Sequence, residues 1–215
     1  MSAGDDLGQR YARHNLLRGR GFVYGGAERV RELRRAIGPI SDGRILDLGC
    51  RDGSLAVALG LPADRTVGAD IDEAAIRSSD GRLKPCLADL WRGFPFRSES
   101  FDLVLAGEIV EHVPFPETLV GEGERVLRPG GRIVGSVPNA FRLKNRILFL
   151  AGRSFERDPT HLRQFSPGML RALLSARFDV VEIHPCVGRL SPAWPRMFGN
   201  DLVWAARKRG RTPPD

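Results

Sequence analysis

The sequence predicts an α/β fold, a doubly wound and mostly parallel sheet of seven strands, and three observations carry that expectation. Short apolar runs alternate with stretches of helical period from residue 28 to 137, the pattern of parallel strands joined by crossover helices. The run Arg44-Ile45-Leu46-Asp47-Leu48-Gly49-Cys50-Arg51-Asp52-Gly53-Ser54-Leu55 takes an apolar strand into an acid and two spaced glycines, with a helix-like segment after it. Such a turn lets the backbone bend sharply and approach a ligand at the mouth of a nucleotide-type site. Val67-Gly68-Ala69-Asp70-Ile71-Asp72 then repeats the theme, a short apolar strand ending in an acid 21 residues beyond Gly49.

Residues 1–27 are polar and rich in glycine, and are expected to form a flexible leader or a cover over the active site. Glu28 to Ile37 has Val30, Leu33 and Ile37 at helical spacing and stops at Gly38-Pro39; Arg29, Arg31, Arg34 and Arg35 are read as its wet face. After the first strand, 54–60 is expected to be a short helix. Thr66 to Ala69 is a second strand, and Asp72 is placed to cap a helix over 73–77. Pro85 to Leu90 reads as a third strand and Phe101 to Ala106 as a fourth. A helix over 117–127 is stopped by Arg128-Pro129-Gly130-Gly131, which feeds a fifth strand over 132–137. Residues 138–165 are expected to be a lid insertion, because Phe141 to Leu150 mixes bulky apolar and basic side chains. Ser166 and Pro167 are the cap and first residue of a helix reaching Arg177. Residues 178–183 and 201–206 supply the last two β-like runs of a domain spanning 28–206, and 207–215 is a basic tail.

Lys plus Arg exceed Asp plus Glu by 33 to 26, a net charge of +7, with a pI near 10.1. The arginines are scattered, with no run of five basic residues, which argues against nucleic acid as the partner. Three cysteines at 50, 86 and 186 are too far apart for a zinc pattern and odd in number, as in a reduced compartment. The absence of a signal-like amino terminus and of a membrane-length apolar run points to a cytoplasmic protein. Peripheral membrane contact stays open, as do a monomer and a homodimer.

The segment Asp47-x-Gly49-x-Arg51-x-Gly53 resembles motif I of the class I S-adenosylmethionine-dependent methyltransferases, with Arg51 where the common pattern has its middle glycine. Neither the Walker loop nor the dinucleotide fingerprint fits this spacing. The resemblance implies a Rossmann-like fold whose last strand is antiparallel, and S-adenosyl-L-methionine as cofactor. It implies a cofactor-binding set of Asp47, Gly49, Cys50, Arg51, Gly53, Asp70, Ile71, Asp89, Leu90 and Ala106. Within that set, the acid matching Asp70 accepts from the ribose hydroxyls and the acid matching Asp89 sits beside the adenine amino group.

Glu108-Ile109-Val110-Glu111-His112 follows the fourth strand, where ligands of parallel sheets collect. If this segment is helical, its three polar residues share one face. His112 can then take a proton from an acceptor and a carboxylate can orient it. Catalytic candidates are His112, Glu108, Glu111 and His161; His14 and His184 have no such setting. The Glu-x-x-Glu-His pattern is similar to that of ubiquinone-biosynthesis O-methyltransferases and small-RNA terminal methyltransferases, where it contributes to a divalent-metal site. By that likeness Glu108, Glu111 and His112 would bind Mg2+ or Mn2+. The chain as a whole resembles the ubiquinone-biosynthesis and MetW-like small-molecule methyltransferases, and the expected reaction is methylation of a small-molecule hydroxyl. A methyltransferase acting on RNA or protein and a noncatalytic S-adenosylmethionine-binding module are the alternatives. No Asn/Asp-Pro-Pro-Tyr-like segment of base amino methylation follows the fourth strand.

Overall fold

The computed structural model describes residues 11–13, 26–39, 42–156 and 158–210. In chain order they form α1 (Gly26–Ile37), β1 (Ile45–Leu48), α2 (Ser54–Leu59), β2 (Thr66–Asp70), α3 (Glu73–Arg77), β3 (Lys84–Leu87) and β4 (Phe101–Gly107). A 3-10 turn at Val110–His112 precedes α4 (Pro116–Val126), β5 (Leu127–Pro138) and α5 (Leu143–Leu150). The chain closes with α6 (Pro167–Ser175), β6 (Val180–Cys186), α7 (Pro195–Phe198) and β7 (Asp201–Arg207).

The seven strands lie in the order β3-β2-β1-β4-β5-β7-β6. All neighbours from β3 to β5 pair in parallel, and β7 runs antiparallel to both β5 and β6. The chain winds outward from β1 to β3 and returns to build the other half from β4. The carboxyl ends of β1 and β4 therefore flank the topological switch point, the crevice where doubly wound sheets bind ligands.

Alternation along the strands divides the core between two layers. Ile45, Leu103, Leu105 and Val134 pack with Leu33 and Ile37 of α1 and with Leu59 of α2. Leu46, Val104, Ala106 and Ile133 pack with Leu119 of α4 and Leu170 and Leu174 of α6. Local start signals act as expected. The Asp72 carboxylate accepts from the amides of Ala74 and Ala75, and the Ser166 hydroxyl accepts from Met169 N.

Several expectations need correction. Arg29 is buried, not part of a wet face, because α1 packs that side against the sheet and an anion waits beneath it. The third strand runs from Lys84 to Leu87 and stops before Asp89, which instead accepts from the Trp91 amide in a loop turn. The 128–131 turn lies inside the bounds of β5, where the register with β4 jumps from Phe101–Leu127 to Leu103–Arg132. Of the expected leader, residues 1–10 and 14–25 lie outside the described residues, as do residues 211–215 of the tail.

Candidate functional site

The loop after β1 folds back on β2. The amides of Gly49 and Cys50 both donate to the Ala69 carbonyl, at 2.8 and 3.3 Å. The Asp70 carboxylate clasps this loop to the next: Oδ2 accepts from Arg51 N at 2.8 Å and Oδ1 from Asp72 N at 2.9 Å. The Ile71 amide also acts on this carboxylate, and of its roughly four lone-pair sites about one remains. Gly49 has φ +65°, and a Cβ there would sit 2.9 Å from Ile109 Cδ1, so glycine is favoured by conformation and any side chain would displace the tip of Ile109. Arg51 occupies the left-handed region with φ 50°. That conformation explains why the commoner motif has glycine at this point, and it costs an L-residue about 1 kcal/mol.

Asp47 is fully buried at the end of β1, and its Oδ2 has no hydrogen-bond partner among the described residues. Burial, reinforced by the charge of Asp70, pushes its pKa up to about 8. The same burial, then the neighbouring carboxylates, raises the Cys50 thiol well above its ordinary value. A cationic ligand group would relieve both effects. The Ser54 amide at the start of α2 already donates to Asp52 Oδ1, so it is engaged within the loop. Asp47, Gly49, Cys50, Arg51, Gly53, Asp70 and Ile71 thus cluster at the adjoining carboxyl ends of β1 and β2. Half-buried Asp89 and buried Leu90 follow β3, and Ala106 lies within the core near the end of β4.

The segment after β4 is not a helix from Glu108 onward. Glu108 takes φ 56°, and only Val110–His112 forms a 3-10 turn, so the three polar residues do not share a helical face. Glu108 Oε1 pairs with Arg29 Nη1 at 2.8 Å, with both side chains nearly buried. Glu111 turns inward beside it. Neither of its carboxylate oxygens has a hydrogen-bond partner among the described residues, and burial followed by the charge of Glu108 raises its pKa well above the ordinary value.

His112 Nδ1 lies 3.1 Å from both the carbonyl and the hydroxyl oxygen of Thr160. A carbonyl only accepts, and the Thr160 hydroxyl gives its proton to Asp158 Oδ1. Nδ1 must therefore carry the proton, which leaves the neutral imidazole with its lone pair on Nε2. His161, whose Nδ1 is 3.1 Å from Glu156 Oε2, packs edge-on to His112 with ring centroids 4.7 Å apart. One donor atom each from Glu111, His112 and His161 falls within 4.8 Å of the others. The structure thus brings His161, rather than Glu108, together with Glu111 and His112.

These residues line a cavity of about 580 Å³, whose walls also include Asn139, Asn145, Leu148 and Asp201. Asp201, the first residue of β7, is buried with Oδ2 unpartnered among the described residues. Burial and then the charge of Glu108 raise its pKa to about 7, against the opposing charges of Arg29 and Arg142. Sequence reasoning misses Arg29, Thr160 and Asp201. Only the isolated acid at the start of an otherwise apolar run marks Asp201 in the sequence.

Comparison with known proteins bears on this geometry. Residues 46–135, which span β1 to β5 and both loops above, match the model of a methyltransferase domain. A probable S-adenosylmethionine-dependent methyltransferase of Mycolicibacterium smegmatis is 33% identical over 143 residues, 64% of this chain and 52% of that protein. The chain is related to S-adenosylmethionine-dependent methyltransferases. A ubiquinone biosynthesis O-methyltransferase of Parvibaculum lavamentivorans belongs to the same set of methyltransferase relatives, 31% identical over 45% of this chain and 41% of that one. The chain spans about half the length of the curated relatives it matches. The [4+2]-cyclase SpnF superposes with a TM-score of 0.71 over 98% of each chain at 18% identity. That likeness shows a shared fold alone, and a cyclase built on it shows that the fold does not fix the chemistry.

Proposed function

We propose that this chain transfers the methyl group of S-adenosylmethionine to a hydroxyl oxygen of a small molecule. The observation that carries the reading is that the loop held by Asp70 and the segment bearing His112 both leave the carboxyl ends of neighbouring parallel strands and approach each other where Gly49 faces Ile109. The buried, unpartnered Asp47 Oδ2 suits a group that arrives with a positive charge. S-adenosylmethionine supplies a sulfonium-bound methyl for in-line displacement by the acceptor oxygen. The chain aligns the reactants and handles the proton. Gly49 admits the ligand close to the backbone, the remaining acceptor capacity of Asp70 serves a ribose hydroxyl, and Asp89 accepts from the adenine amine. On the acceptor side, His112 Nε2 takes the hydroxyl proton while Thr160 holds the ring and stabilises Nδ1–H. The hydroxyl acceptor also accords with the ubiquinone-biosynthesis O-methyltransferases among the relatives.

A second reading is favoured by the unpartnered oxygens of Glu111 beside two imidazoles. One carboxylate and two ring nitrogens fit a divalent cation, and the nitrogen donors suit Mn2+ better than Mg2+. Glu111, His112 and His161 would hold it, with Thr160 and Glu156 orienting the rings from behind. Such an ion would supply Lewis acidity that lowers the pKa of an acceptor hydroxyl.

Turnover on a panel of small hydroxyl acceptors, with and without EDTA, tests both readings. If His112 is a base, activity survives chelation and His112→Ala loses on the order of 10²-fold in turnover while cofactor binding persists. If a metal is used, chelation abolishes activity, Mn2+ or Mg2+ restores it, and Glu111→Ala and His161→Ala both raise the metal concentration needed for half-maximal activity. Normal turnover in His112→Ala, Glu108→Ala, Glu111→Ala and His161→Ala alike would overturn the catalytic assignment.

A further inference from the structure

Helix α5 (Leu143–Leu150) exposes apolar side chains beside its bases Lys144 and Arg146. Its one buried side chain is Asn145, whose amide donates to the Ala140 carbonyl at 3.0 Å, while Ile147, Phe149 and Leu150 stand 56%, 71% and 84% exposed. A helix on the surface of a soluble domain normally places its polar side outward. Ile147 and Leu150, three residues apart, form an exposed apolar pair on one side of the helix, and Phe149 is exposed on another side of its last turn. The adjoining α7 extends the exposed apolar surface, since Trp194 immediately before it is 58% exposed, and α5 and α7 pack together.

The charge of this face is one-sided. From Phe141 to Arg153 the chain carries the exposed bases Lys144, Arg146 and Arg153 and no acidic residue, while Arg142 turns inward to Asn145 and Asn200; exposed Arg196 lies on α7. Three exposed aliphatic or aromatic side chains ringed by cations match the demands of one kind of partner, an anionic lipid surface. There the apolar groups enter the headgroup and acyl boundary while the bases meet phosphate. A tryptophan at the rim suits the same boundary. A protein partner or a second copy of this chain would have to supply a concentrated acidic patch. The charge balance of this chain, +7, makes a second copy a poor complement. No helix among the described residues is long and apolar enough to cross a membrane, so the contact would be with one leaflet.

We propose that α5, with the Trp194 turn, is a docking face for anionic membranes. The same helix lines the acceptor cavity with Asn145 and Leu148, so docking would bring that cavity to the lipid surface. The inference stands on surface chemistry and does not depend on methyl transfer.

The test is flotation of the full chain with large unilamellar vesicles of phosphatidylcholine alone and of phosphatidylcholine with about 30% phosphatidylglycerol, at about 0.05 and 0.5 M salt. The expected result is binding to the anionic vesicles that falls at least tenfold at high salt, with little binding to the neutral ones. The double variant F149S/L150S, altered at two exposed sites, should keep the parent's melting temperature and lose at least tenfold in vesicle partition. R146Q/R153Q should lose the preference for anionic lipid. Failure of the parent chain to float with anionic vesicles would overturn the proposal, and so would equal partition of F149S/L150S. A face that instead drives dimerisation, seen as a dimer in sedimentation that F149S/L150S converts to monomer without any vesicle binding, would overturn it as well.

Discussion

Replacing Arg29 by Met should be among the most damaging single changes outside the apolar core. Arg29 is 3% exposed and its guanidinium lies 2.8 Å from Glu108, which is 10% exposed. It also donates to Ser136 Oγ at 3.3 Å. Its positive charge also acts to lower the pKa of Glu111 and Asp201, against the rise that burial and Glu108 cause. Methionine fills a similar volume but leaves Glu108 as an uncompensated buried anion beside two more carboxyls. Breaking a buried pair in this way costs about 3–5 kcal/mol. In a domain of this size each kcal/mol lowers the melting temperature by about 2–4 °C, so a fall of roughly 6–20 °C is expected. The partner change Glu108→Gln removes the stranded charge, and R29M/E108Q should recover at least half of the loss. Urea unfolding of the four proteins at pH 7 closes the cycle. A loss below about 1 kcal/mol for R29M, or a double variant no more stable than R29M, would refute the picture of Arg29 as the neutralising centre of this acidic cluster.

Three further outcomes follow from the site. Asp201 has its pKa raised from 3.8 to about 7, so its contribution to stability is full below pH 4 and is lost as the pH rises through 7. Asp201→Asn should therefore be about 1–3 kcal/mol more stable than the parent at pH 8 and nearly equal to it at pH 4, read from urea unfolding. Arg51→Gly relieves a left-handed arginine and should change stability by no more than about 1 kcal/mol in the favourable direction, whereas Gly49→Ala, which meets Ile109 at 2.9 Å, should destabilise measurably in the same melts. Asp47, held protonated up to about pH 8 in the free protein, must ionise to meet a cationic ligand. S-adenosylmethionine affinity should rise from pH 6 to 8 and level off above, and Asp47→Asn should flatten that profile; a parent profile without slope would contradict the role given to Asp47.

Features governed by near neighbours along the chain are legible in the sequence itself. The Asp72 and Ser166 caps are set by residues two or three positions away, and the Gly49 turn by the acid and strand that precede it. Alternating strands and helices determine the sheet's class, while the antiparallel setting of β7 is implied only by the family resemblance, because antiparallel and parallel pairing leave no mark on Asp201–Arg207 itself. The expected third strand runs too far, to Leu90, because the side chains of β3 are mostly exposed and give no apolar alternation to bound it. The acceptor side is half visible. Glu108, Glu111, His112 and His161 all stand out in the sequence, yet helical spacing groups Glu108 with His112, whereas a left-handed residue at Glu108 turns it toward Arg29 and leaves His161 in its place. Arg29, Thr160 and Asp201 reach the site through tertiary contacts that no local pattern encodes.

Isothermal titration of the purified chain with S-adenosylmethionine tests the central claim most directly. One site of micromolar affinity, about 8 kcal/mol, is expected, weakened by roughly 1.5–3 kcal/mol in Asp70→Asn, since that carboxylate is to accept a hydrogen bond from the ribose. Absence of any saturable heat from a folded parent chain would contradict it, and so would an affinity that Asp70→Asn leaves unchanged.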